Sequence, residues 1–238
     1  MTIKNTELII SIITVLLTYG VCASLIGYVR AWVAGQMGDD TPEQLGFLTL
    51  NPFVHVSRIW LILIIWLQVL SQYMPFGLGR YVPINPHNIQ GGSRTLKLAT
   101  AYFSDTIAAI GVSIIAFFTM LSIHGQLAMK FLHHTVTLHN LALSNPAAST
   151  FSLITTWFLL TFFIMSSLMA AFSLIINCFH FIYFSFFEES LRNNEYTDMI
   201  MLFGPLLLLY ITIYMVRDSI MIFVIYVARL LAFLVGIV

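Results

Sequence analysis

Apolar and polar residues divide the chain into long apolar runs joined by short polar connections. A helix that crosses a bilayer needs roughly 20 mostly apolar residues. Runs 8–29 and 98–123 meet that length, while run 56–73 is shorter and either spans or re-enters. Run 151–187 is too long for one straight span. It predicts either a long helix emerging from the bilayer or two segments broken near Asn177. Runs 199–216 and 220–238 close the sequence, divided by Arg217-Asp218. The pattern predicts an all-α polytopic membrane protein with about six membrane segments.

The polar connections add detail. Stretches 34–55 and 74–96 hold most of the glycine, proline and asparagine. Leu48-Thr49-Leu50 and Tyr81-Val82-Pro83-Ile84 have strand-like composition and predict a small membrane-associated β element between the early helices. Pro83 and Pro86 lack ladder donors, which confines that piece to an edge strand or an irregular loop. Stretch 124–150 carries His124, His133, His134 and His139. There Leu127, Phe131, Leu132 and Val136 predict a short amphipathic helix at the membrane interface.

Composition supports the membrane reading. Charged residues make up 8% of the 238 residues and hydrophobic ones 59%. Soluble domains carry about 25% charged residues, so this chain lacks the polar groups to cover a surface facing water. Formal charge is zero, with ten basic and ten acidic side chains. That argues against a nucleic-acid surface. No long polar block exists for an aqueous domain, so residues 1–238 are read as a single membrane domain. Cys22 and Cys178 lie inside apolar runs and read as small buried hydrophobes. The N-terminal run is read as a first membrane helix rather than a signal peptide, because it continues to Val29 without a small-residue cleavage site. Basic residues divide almost evenly between alternate connections, so orientation does not follow from them.

Two polar stretches carry a resemblance. Gly38-Asp39-Asp40-Thr41 precedes Gly46-Phe47-Leu48-Thr49-Leu50-Asn51-Pro52-Phe53-Val54-His55. Pro75-Phe76-Gly77 precedes Val82-Pro83-Ile84-Asn85-Pro86-His87-Asn88. In order and spacing the two resemble the GDxTA…GRLTLNPxxHID and PFGWAKPVPVNPxNF segments of the site-2 proteases, which are intramembrane zinc metalloproteases. The resemblance implies a core of membrane helices with a small embedded sheet. It also implies a partly unwound transmembrane segment held against an edge strand, where unpaired backbone groups accept an extended peptide.

The chemistry of that family is replaced here. Its zinc motif, HExxH, falls by alignment on Ile26, Gly27, Tyr28, Val29 and Arg30, which supply neither histidine nor the glutamate. The next core stretch falls near Tyr102, Phe103 and Thr106 without its glycine, proline and asparagine. The third ligand position, after Asn177, falls on Ser185, or on Glu188 after a slip of three residues. Without the glutamate there is no general base, and without the histidines no Lewis acid. The resemblance therefore implies a zinc site whose ligands are missing, so no cofactor is expected. The expected function is a catalytically inactive relative that binds a transmembrane segment or serves as a subunit of a membrane complex. The alternative is an active intramembrane metalloprotease that recruits His55, Asp105, His180 and Glu188 as ligands. A transporter reading, suggested by Arg30, Asp105 and Arg229, lacks the internal repeat that would favour it.

Several residues become candidates. Arg30 and Asp105 are lone charges in apolar runs, where an unpaired charge costs at least about 2.5–3.5 kcal/mol; either they pair where the zinc would lie, or Arg30 snorkels to the headgroups and Asp105 faces water. Asn177 and His180 lie one helical turn apart and are expected to bond within the bundle. His55 is expected to fix the turn after Asn51-Pro52. The expected surface for a partner comprises Asn51, Pro52, His55, Val82, Pro83, Asn85, Pro86 and Asn88. Asx-Pro dipeptides also make turns for purely structural reasons. The lipid bilayer is the other expected partner.

Overall fold

The computed structural model describes residues 3–71, 77–131 and 149–187. Among these the architecture is helical: α1 (Ile3–Met37), α2 (Thr41–Gln44), α3 (Pro52–His55), α4 (Arg58–Ser71), α5 (Arg94–Phe131) and α6 (Thr150–Ile182). A π-helical turn, Tyr183–Phe187, continues α6. Three segments are long and apolar enough to cross a membrane: Leu8–Met37, Arg94–Ile123 and Thr150–Ser185.

The described residues bear on four of the sequence expectations. First, 151–187 forms one uninterrupted helix with its π turn, and Asn177 does not break it. Second, the described part of run 56–73 ends at Ser71 and contains α4, 14 residues long, which is compatible with a span and with a re-entrant segment alike. Third, no strand forms among the described residues, so the expected β element is absent there. Residues 77–85 run without helix or strand, and Arg80 N donates to His55 O at 2.6 Å. Pro83 and Pro86 offer no donors for a ladder. The expected interfacial helix also changes, because α5 continues without interruption to Phe131. The rest of that helix, His133, His134 and His139, runs 199–216 and 220–238, and Glu188 lie outside the described residues. The described part thus supplies three candidate spans where about six segments were expected along the whole chain.

The α5–α6 interface is the most extensive, and α1 lies against both. Small hydroxyl residues line the α5–α6 seam, with Ser113 Oγ and Ser167 Oγ 2.6 Å apart. Such residues let helices approach closely and bond across the gap where hydrophobicity gives no drive. The core sits where four helices meet. It combines Val15, Tyr19, Cys22, Ala23 and Ile26 of α1, Ile64 of α4, Ala109 of α5, and Met165, Met169 and Ala170 of α6. The opposite face of α1 exposes Ile9, Ile13, Leu17, Val21 and Leu25. That spacing of four makes one outward apolar stripe, suited to lipid.

Local sequence sets the short elements. Gly38, at φ 105°, closes α1 in a conformation that strains any residue with a Cβ. Asn51 caps α3, its side chain accepting from Phe53 N at 3.0 Å, and Pro52 fills the first helical position, where a missing N–H does no harm.

Candidate functional site

Three helices converge on one buried polar cluster. Arg30 of α1 is 3% exposed. Its Nη1 donates to Asp105 Oδ2 of α5 at 2.6 Å and to Asn177 Oδ1 of α6 at 3.0 Å. Asn177 Nδ2 in turn donates to Asp105 Oδ1 at 2.6 Å and to Thr106 Oγ1 at 3.1 Å. Thr106 Oγ1 lies 2.7 Å from Ser173 Oγ. The rings of Tyr81 and Tyr102 lie 5.0 and 5.8 Å from the guanidinium carbon, within reach of a cation–π attraction. The Arg30 and Asp105 charges offset each other inside the bundle, and the hydrogen bonds tie α1, α5 and α6 together.

Arg30 and Asp105 pair, the first of the two arrangements that the sequence allowed. Asn177 does not bond to His180 as expected. It turns into the cluster, while His180 stacks on Tyr102 at 6.0 Å between centroids and tilts against Tyr81 at 5.5 Å. Satisfaction of Asn177 by Asp105, Arg30 and Thr106 also explains why α6 runs straight through it. Its polar group is paired without opening the backbone.

A second polar cluster joins the two resembling stretches. Asp39, fully buried, accepts at Oδ1 from Thr41 N (3.1 Å), Thr41 Oγ1 (2.5 Å) and Asn88 Nδ2 (3.0 Å). Its Oδ2 accepts from Asn85 N at 2.7 Å. Asn85 also forms its own turn, accepting from His87 N at 3.1 Å. Asp39 was not singled out from the sequence, although it sits in the Gly38-Asp39-Asp40-Thr41 stretch. A carboxylate between two glycine- and proline-rich segments was the available signal. Val82 is buried beside Ala31 and Phe47, and Pro86 is buried as well, whereas Tyr81 and Asn88 are exposed.

His55 holds the connection between the clusters. Its Nε2 donates to Thr49 O at 2.7 Å, and its ring lies against Gly27, where a Cβ would come within 2.9 Å of Cε1. Tyr19 bridges the same region, donating to Leu78 O at 2.7 Å and accepting from Ser57 N at 3.0 Å. Burial pushes His55 below its ordinary value of 6.5, so the folded ring is neutral. Between its folded and unfolded values the unfolded chain binds more protons. This contribution to stability is intact above about pH 6.5 and is lost as pH falls below it. Melting in detergent at about pH 7.5 and about pH 5.5 should show a larger drop for the wild type than for His55→Gln.

A cavity of about 330 Å³ lies beside the Arg30 cluster, walled by α1, α6, the 78–82 segment and Trp60 of α4. The zinc site implied by the resemblance does not fit these residues. Ile26 and Gly27 offer no ligand atoms, and the motif's second histidine position holds a cation, Arg30. Among the described residues no three His, Cys, Asp or Glu side chains group so as to hold a metal ion, so His55, Asp105 and His180 form no such set. Comparison with protein-family models, curated proteins and solved structures found no match.

Proposed function

We propose that this chain is a multi-pass integral membrane protein, a non-proteolytic relative of the site-2 proteases. It binds a transmembrane segment of another protein along residues 81–88, or serves through that surface as a subunit of a membrane complex. One observation carries the reading. The resemblance assigns catalytic chemistry to residues 26–30, to the neighbourhood of 102–106 and to the stretch after Asn177. Arg30, Asp105 and Asn177 from those regions meet in one buried cluster, and their bonds link α1, α5 and α6. The Asp39 cluster supports it further, because it ties the two resembling stretches together and holds the 85–88 turn in place.

A photo-crosslinker at Tyr81, beside the proposed docking strip, should capture a membrane-embedded segment of a specific partner. The same probe at Ile107, an exposed position on α5, should capture lipid only. Equal yields from both positions would remove the docking surface. Stoichiometric zinc in the purified protein, together with cleavage of a transmembrane peptide, would replace this reading with an active metalloprotease.

A further inference from the structure

Among the described residues, Nη1 is the Arg30 nitrogen that donates to the cluster, serving both the Asp105 carboxylate and the Asn177 amide. Nε and Nη2 are buried, with no hydrogen-bond partner among the described residues. These two nitrogens form the side-on edge of the guanidinium, whose parallel N–H groups match the two oxygens of a carboxylate. Buried donors left unmatched weaken the fold, and such exceptions in a native structure call for an explanation.

The surroundings suggest what completes them. Arg30 lines the cavity of about 330 Å³, at the lower end of the range of about 300–1,000 Å³ for small-molecule pockets. Ile26, Trp60, Leu78, Met169 and Ile176 supply apolar walls. The charged lining residues are Arg30, Arg80 and Asp105; Arg80 is exposed, with its guanidinium over the Phe47 ring, so the Nε and Nη2 edge of Arg30 is the buried polar feature that an occupant would meet. Tyr81 lies over the guanidinium and is 47% exposed. Its ring is the cover that can yield when a polar head enters.

We propose that the cavity binds a membrane-soluble amphiphile with a single carboxylate. The head takes the Nε and Nη2 edge of Arg30, and the apolar body lies against Trp60 and Met169. This goes beyond the docking of a partner helix and does not depend on it.

The test uses the purified full chain and bromododecanoate, a quencher of tryptophan fluorescence, with W60F as the reference that isolates Trp60. Saturable quenching of Trp60 is expected, competed by dodecanoate and not by dodecanol. R30K keeps the charge and loses the two-pronged edge, so binding should weaken about tenfold. R30Q/D105N removes both charges, avoids a lone buried ion, and should weaken binding at least as much. Quenching that never saturates would overturn the proposal, as would equal potency of bromododecanol or unchanged binding in R30Q/D105N. Crosslinking from Tyr81 to a protein partner is a separate readout, so either idea can fail while the other stands.

Discussion

Asp105→Asn is expected to destabilise the protein by about 3–5 kcal/mol, the usual cost of removing one partner from a buried ion pair. The substitution leaves Arg30 buried against a neutral amide. Asn177 then faces two amide or cationic donors where it now faces a carboxylate. Thermal unfolding in detergent should show a large fall in midpoint and a lower yield of folded protein. The double variant Arg30→Gln/Asp105→Asn removes both charges and should recover much of the loss, because replacing a buried pair as a whole is often close to neutral. If Asp105→Asn and Arg30→Gln each melt like the wild type, the pair does not hold the bundle together.

Gly27→Ala should also destabilise, against the ordinary trend for a helix. Removing a mid-helix glycine normally gains about 0.5–1 kcal/mol. Here the added methyl would run into His55 at Nδ1 and Cε1. The ring is pinned by its bond to Thr49 O, and the His55 carbonyl by Arg80 N. Overpacking costs about 1–3 kcal/mol and losing the ring's hydrogen bond about 1 more, so the steric effect wins by about 1–3 kcal/mol. The sign should reverse in a His55→Ala background, where the methyl finds space. A stabilising Gly27→Ala in the presence of His55 would mean that the contact is not made.

The sequence conveyed some of this well. Long apolar runs with few charges specify membrane-length helices whatever the tertiary context, and α1, α5 and α6 follow them. For Arg30 and Asp105 the sequence allowed either a pair or two charges reaching headgroups and water, because it does not say how close the two helices come. Asn51-Pro52 and Asn85-Pro86 pointed to turns, and both make them. Other features depended on contacts far apart in the chain. Tyr81-Val82-Pro83-Ile84 has strand composition, but a strand also needs a neighbour, and composition does not supply one. Asn177 read as a break or as a partner for His180, because its true partners lie on helices 72 and 147 residues earlier. Gly27 gave no sign of its role, since the residue that requires it, His55, reaches it only through the fold.

The cluster around Arg30 also orders events at the ribosome. Asp105 follows Arg30 by 75 residues and Asn177 by 147. At an elongation rate of about 5–20 residues per second, the carboxylate emerges roughly 4–15 s after the guanidinium, and the amide roughly 7–30 s after it. During that interval the nascent first helix carries an unmatched cation, which can be tolerated only by reaching toward lipid headgroups. For a first helix inserted in a bilayer, the depth would then settle only once the later helices supply the counter-charge.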